Sequence, residues 1–292
     1  MYVIIKHVRF HPTIKINYIG MKVCILSVKF FETTFPLARH LAKLGHDITL
    51  ICILPKFHRR DFIVDFSGYD VRFGFDDRYN ESAFDHNLTE YLQNIKLHSL
   101  FFIDRKNNPF NIFIANKLTR FISSEKFELV HLIGSSSFIT FVHLLLRKTA
   151  VVQTLHEVTT HEVYLTLPLH QRSVLNIICR RDIKLILHSS VSEKRFVDYY
   201  SKYSRKKYSL ENRIFNIPFG LFETYKCFDN NEEIEEEKST VLFFGRILPY
   251  KGICYLVDSV EKLMEKIPDI KLIIAGEGKI EFVMDRHRNF IA

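Results

Sequence analysis

The chain has 292 residues, room for about two domains at roughly 100–200 residues each, and 47% of them are apolar, enough for packed cores. The formal charge is +8 with histidines neutral, and the five cysteines (Cys24, Cys52, Cys179, Cys227, Cys254) form no C-x-x-C pair. These totals argue against a metal knuckle and a disulfide framework and for a reducing compartment. No apolar run approaches the roughly 18 residues of a spanning helix.

The charge is uneven: residues 1–150 hold 20 Lys+Arg against 13 Asp+Glu, and residues 151–292 hold 21 against 20. A basic first half suits an anionic partner such as nucleic acid, a phosphorylated substrate or an anionic membrane face. It equally suits a soluble basic surface with no specific partner. Trp is absent and Phe reaches 27, which predicts phenylalanine-rich cores.

Residues 1–20 lack the apolar core and cleavage site of a signal peptide and read as an N-terminal extension, the start being Met1 or Met21. "KVCILSV" (22–28) is a short β-rich run that fits a strand buried on both faces. "TTFPLARHLAKLG" (33–45) spaces Leu37, Leu41 and Leu44 helically, with Gly45 at the C-cap position, and "HDITLICIL" (46–54) is the next strand. Strand–helix–strand implies parallel pairing. Residues 55–100 read poorly apart from "YDVRFGF", a further strand.

A helix at 108–124 and a strand at 128–134 follow, then the helix "SSFITFVHLLLRK" and the strand "AVVQTLHE" (150–157). The alternation continues through a helix at 167–182, a strand at 183–189, a helix at 192–200 and the strand "RIFNIPFG" (213–220). Such alternation defines an α/β fold with a parallel sheet, whose ligands bind beyond the carboxyl ends of the strands. Gly134, residues 154–157, His188 and Gly220 fall at such ends. "DNNEEIEEEKST" (229–240) is an acidic linker or exposed insertion, after which strand (to 247), helix (252–266) and strand (269–278) form a second α/β unit.

The most pointed stretch is "VLFFGRILPYKGICYLVDSVEKL" (241–263). A buried strand empties into Gly245-Arg246, and Lys251-Gly252 precedes a helix. Backbone N–H groups at a helix N-terminus already favour an anion. An arginine fork and a lysine point charge beside it suit a diphosphate; two solvated basic residues in a loop would read the same way. "AGEG" (275–278) ends a strand with Gly276 and Gly278, a turn that can bring backbone close to a ligand.

His156, in "TLHE", can hydrogen-bond a ligand, act as a general base or cap its strand. His188 shares that ambiguity, and His131, inside "LVHLI", reads as a satisfied core residue. H-E-x-x-H is absent, because His161 comes one position too late after His156-Glu157, so no metal site is expected. The dinucleotide and P-loop glycine motifs are also absent. "SKYSRKKYS" (201–209) mixes basic residues with tyrosine but reads as a solvated loop, and no nucleic-acid partner is expected.

Together, "VLFFGRILPYKGICYLVDSVEKL…IKLIIAGEG", "MKVCIL…LARHLAKLGHDITLI", "FELVHLIG", "VVQTLHE", "LILHSSVSEKRF" and "IFNIPFG", in this order, resemble the retaining family-four (group 1) glycosyltransferases of the GT-B fold, over roughly residues 21–290. The resemblance implies two Rossmann-like domains with parallel sheets: an acceptor-side domain at 21–220, a linker at 221–240 and a nucleotide-sugar-binding domain at 241–292. It implies sugar transfer from a nucleotide-sugar to a glycan, lipid-linked or other glycoconjugate acceptor, with retention and with no metal or separate cofactor. Arg246 and Lys251 would hold the diphosphate and His156 would contact the donor sugar. Gly245, Gly276, Gly278 and Gly220 would line the nucleotide-sugar site.

The sequence departs from the family in two places. The loop after the first strand, "SVKFFETTFPL", lacks the family's paired glycine. Residues 279–292 do not supply its glutamate pair, so the second domain is expected to be incomplete. A cytoplasmic protein with peripheral contact at the inner membrane face is expected. The alternative is a truncated, non-catalytic nucleotide-sugar-binding remnant; an epimerase of similar architecture and a nucleic-acid binder rank behind it.

Overall fold

A computed structural model describes residues 20–57, 63–103, 108–134, 136–146, 148–156, 158, 183–203, 209–210, 212–229 and 235–278. The chain divides into two compact units, Met1–Asp229 and Asn230–Ala292.

In the first unit, β1 (Lys22–Ser27), α1 (Phe31–Lys43) and β2 (Asp47–Pro55) form the strand–helix–strand opening that the sequence predicts, with β1 and β2 parallel from Lys22↔Asp47 to Ser27↔Cys52. All of β1 but Lys22 and all of β2 but Asp47 are buried. A parallel strand covered on both faces needs such an unbroken apolar run. After them come β3 (Gly74–Phe75), α2 (Asn80–Ala83), α3 (His86–Tyr91), β4 (Lys96–Phe102), α4 (Asn111–Ser124) and β5 (Leu129–Ile133). The rest are α5 (Ser137–Leu145), β6 (Ala150–Thr154), β7 (Lys184–Leu187), α6 (Ser190–Tyr203) and β8 (Ile214–Asn216).

The strands lie in the order β3-β4-β2-β1-β5-β6-β7-β8. Every pairing is parallel except β3 with β4. Successive residues of β1 point to opposite faces. Cys24 and Leu26 therefore enter a core with Leu118, Phe138 and Phe196, while Val23 and Ile25 enter another with Phe35, Phe84 and Phe101. Phe31, Phe35, Phe66, Phe84, Phe101, Phe138 and Phe196 are among the largest fully buried side chains, as the Trp-free composition predicts.

The second unit pairs β9 (Thr240–Phe244) in parallel with β10 (Lys271–Ala275), joined through α7 (Ile253–Met264). Ile247, Ile253 and Val257 form its small core, with Phe243, Leu272 and Ile274 of the sheet packed against them. The opposite sheet face leaves Leu242, Ile273 and Phe244 exposed, Phe244 by 80%.

Three differences from the sequence reading have physical causes. The "YDVRFGF" strand shortens to the two antiparallel residues of β3, and β4, which begins with Lys96 and His98, goes unread because these polar residues sit at its exposed start. The linker begins later than expected, because residues Glu223–Phe228 form a 3-10 helix belonging to the first unit. Thr224 there is fully buried with its hydroxyl donating to the Glu32 carbonyl (3.2 Å), and Glu223 accepts from His40 (2.9 Å). The helix expected at 167–182 lies outside the described residues. Among the described residues no helix is long and apolar enough to cross a membrane.

Candidate functional site

The first unit opens a cavity of about 490 Å³ at the carboxyl end of its sheet. Its walls come from α1 (Pro36, Leu37), from the ends of β5, β6 and β7, and from the segment 217–221 after β8. His131, Thr154, His156 and His188 supply ring nitrogens and a hydroxyl, and Gly220 lies on the rim. The loop between β1 and α1 is strained: Lys29 (φ 66°) and Phe30 (φ 57°) are both left-handed without being glycine. Such a conformation costs about 1–2 kcal/mol per residue and persists only where packing over-determines it. The strain falls where the family's paired glycine is missing, and it delivers the Phe30 ring onto His156, stacked at 3.9 Å.

His156 and His188 form one aromatic cluster. Their rings lie 4.9 Å apart, and Phe219 stacks on His188 at 3.7 Å and on His156 at 5.3 Å. Neither nitrogen of His156 has a hydrogen-bond partner among the described residues, although both are buried. Burial above all, with the neighbouring His188 and His131 adding, pushes the His156 pKa down to about 3. Burial also lowers His188 and takes His131 down to about 4. The three imidazoles are therefore neutral at pH 7 and act through hydrogen bonds rather than charge. His131 shares a 2.7 Å hydrogen bond with the Thr154 hydroxyl, the satisfied core histidine the sequence predicts, and it also lines the cavity.

Gly134, at the end of β5, holds the loop and the cavity together. Its φ is +83°, and a Cβ there would come 2.4 Å from the Val28 carbonyl oxygen and 3.3 Å from the Phe30 ring. Only a residue without Cβ lets the β1–α1 loop close this tightly.

The second unit assembles the other predicted residues. Gly245 follows β9 and Gly276 follows β10, and a Cβ on Gly276 would sit 1.8 Å from the Gly245 carbonyl oxygen. The two turns run in contact, with the Gly245 N–H donating to the Ala275 carbonyl (2.9 Å) and the Ile247 N–H to the Glu277 carbonyl (2.8 Å). Gly278 bridges to Ile247. Arg246 is exposed in this turn. Lys251 is exposed at the end of a 3-10 turn (Pro249–Lys251), its Nζ 5.3 Å from the Tyr250 ring centroid. Among the described residues no carboxylate pairs with either cation. Gly252 caps α7 without a side-chain hydrogen bond, so side chains leave the first-turn N–H groups open to an anion.

Sequence reasoning named His156 and Gly220 in the first unit and all five residues of the second. It missed Phe30 and Phe219 and left His188 open. A phenylalanine in a loop gives no signal; only topology brings residues 30, 156, 188 and 219 together.

Two α/β units of Rossmann type, with polar groups at the carboxyl ends of their strands, define the fold class of the GT-B glycosyltransferases. The Glycosyltransferase Family 4 profile matches residues 33–200, and that of Glycosyl transferases group 1 matches residues 226–288. The chain belongs to Glycosyltransferase Family 4, and its second unit matches the Glycosyl transferases group 1 model.

Among solved structures, a glycosyltransferase from Rickettsia africae ESF-5 is similar at 16% identity and TM-score 0.52, over 94% of this chain and 63% of that one. The UDP-GlcNAc 2-epimerase of Methanocaldococcus jannaschii is similar at 12% identity and TM-score 0.57, over 93% of this chain and 69% of that one. A UDP-forming α,α-trehalose-phosphate synthase from Burkholderia xenovorans is similar at 12% and 0.57, over 92% and 67%. At these identities the likeness is one of fold. This chain spans 63% of the length of the Rickettsia glycosyltransferase. No curated protein matches the chain significantly.

Proposed function

We propose that this chain binds a nucleotide-sugar and transfers its sugar, with retention of configuration, to a glycan or lipid-linked acceptor. The observation that carries the reading is the glycine-built turn of the second unit, in which exposed Arg246 and Lys251 lie between β9 and α7, Lys251 directly before the helix cap Gly252. Arg246 and Lys251 neutralise the diphosphate and stabilise the charge that grows on it as the glycosidic bond breaks. Gly245, Gly276 and Gly278 let backbone approach the nucleotide, with Gly220 on the rim of the sugar-binding cavity. His156, neutral at working pH, hydrogen-bonds the transferring sugar. In this reading the two cations do the work of a metal, and no separate cofactor takes part. The acceptor reaches the protein from the cytoplasmic membrane face, where the basic first half meets anionic lipid.

The test is calorimetric binding of UDP and GDP by the full chain, followed by transfer assays with their sugar derivatives. Unchanged affinity in Arg246→Ala and Lys251→Ala would remove the phosphate role; an unchanged transfer rate in His156→Ala would remove the role of His156. A second reading, binding without transfer, is favoured by the bare outer face of the second unit's sheet at Leu242, Phe244 and Ile273. Binding with no turnover of any donor would select it. Interconversion of a free nucleotide-sugar with no acceptor present would select an epimerase instead.

A further inference from the structure

His188 follows the last residue of β7, and its Nδ1 lies 2.8 Å from the backbone carbonyl oxygen of Ile217. A carbonyl can only accept, so Nδ1 carries the proton of the neutral ring and Nε2 is left as a bare lone pair. That Nε2 is buried and has no hydrogen-bond partner among the described residues. The Phe219 ring stacked at 3.7 Å fixes the plane of the imidazole. Among the cavity's other polar groups, His131 is engaged with Thr154 (2.7 Å) and His40 with Glu223 (2.9 Å), while His156 keeps both ring nitrogens unpartnered. An unmet acceptor in an apolar cavity selects its ligand by exclusion. A phosphate dianion or a carboxylate has no proton to give and would be repelled, whereas a hydroxyl satisfies the lone pair.

We propose that His188 is a binding residue of this cavity, its Nε2 accepting a hydrogen bond from an uncharged sugar hydroxyl whose ring lies against the apolar walls formed by Ile133, Ile186 and Pro218. The inference rests on the glycosyl-transfer reading for the identity of the ligand.

Two substitutions separate the nitrogens. In His188→Asn the amide N–H replaces Nδ1–H toward Ile217 and the Nε2 acceptor is lost. In His188→Gln an acceptor is kept near the Nε2 position. The full chain is labelled with ¹⁵N-histidine, His188 is assigned by its loss in His188→Asn, and spectra at pH 7 are titrated with methyl α-glycosides of glucose, galactose, mannose and N-acetylglucosamine. UDP and GDP serve as separate probes.

The expected result is a neutral His188 protonated on Nδ1, whose Nε2 resonance moves with at least one glycoside. His188→Asn then weakens that glycoside about fivefold, the scale of one neutral hydrogen bond, and His188→Gln weakens it less than about twofold. A ring protonated on Nε2, no response to any glycoside, equal affinity in His188→Asn, or the same Nε2 shift from UDP or GDP would each overturn the proposal. If UDP and GDP fail to bind while a glycoside still moves Nε2, the nucleotide-sugar reading fails and the assignment of His188 stands.

Discussion

The two units solve the same problem, presenting polar groups at the carboxyl end of a parallel sheet, by opposite means. The first places its candidate site at the end of an eight-stranded sheet whose central strands are buried on both faces, and the groups there are neutral imidazoles packed against Phe30 and Phe219. Among its described residues, the second has two strands, one covered face and a core cluster of three buried residues, and its candidate site groups are exposed cations on a turn held by glycine contacts. On the proposed function, burial would give the first unit selectivity through desolvation, and the second would rely on backbone shape and on charge left in water. A change that alters volume should therefore damage the first through its packed rings as well as at Gly134, and the second chiefly through its glycines.

The largest effect is expected at Gly276→Val, which drives Cβ into the Gly245 carbonyl oxygen at 1.8 Å. No rotamer relieves a backbone clash, so the β9–β10 turns must separate. Hydrogen exchange should show loss of protection in both strands, and UDP and GDP binding should vanish, while the histidine resonances of the first unit keep their positions.

Gly134→Ala comes next. It places a Cβ 2.4 Å from the Val28 carbonyl in a left-handed residue, and should destabilise the first unit by about 1–3 kcal/mol in denaturant unfolding. It should also loosen the Phe30–His156 stack, seen as a shift of the His156 resonances.

Arg246→Ala and Lys251→Ala sharpen the contrast. Each should lower UDP or GDP affinity about tenfold, the scale of a charge-assisted hydrogen bond. Both side chains are exposed, so unfolding free energy should change by less than about 0.5 kcal/mol.

The last prediction concerns pH. The His156 pKa is about 3 in the folded protein and near 6.5 when unfolded, so between those values the unfolded chain binds more protons. Stability should therefore fall as pH drops below about 6.5, with His131, lowered to about 4, contributing in the same direction. His156→Phe keeps the stack and removes the titrating group, and should flatten the acid limb measured by denaturant unfolding at pH 7, 6 and 5.

How much of this is legible in the sequence follows from the same contrast. β1, α1 and β2 announce themselves because a doubly covered strand must be apolar throughout and a surface helix must repeat its leucines. Residues 55–100 do not, since β3, α2 and α3 have two, four and six residues, too few for any period to form. The second unit's candidate site is legible in its glycines because backbone contacts demand them at fixed places, and the proposed anion would call for cations beside them. The first unit's site is legible only at His156 and Gly220. Phe30 acts through two left-handed residues where glycine is the usual choice, and Phe219 acts through a stack on a histidine 31 positions away. The tautomer of His188 is set by a carbonyl 29 residues on, a relation that no local pattern encodes.

The most direct test of the central claim is calorimetry of UDP, GDP and their glucose, N-acetylglucosamine and mannose derivatives with the full chain and with the Arg246→Ala/Lys251→Ala double variant. The account predicts saturable binding of at least one nucleotide-sugar by the unaltered chain, and a loss of about a hundredfold in the double variant, whose unfolding curve stays unchanged. Binding of equal strength in both proteins, or no binding to either, would contradict it.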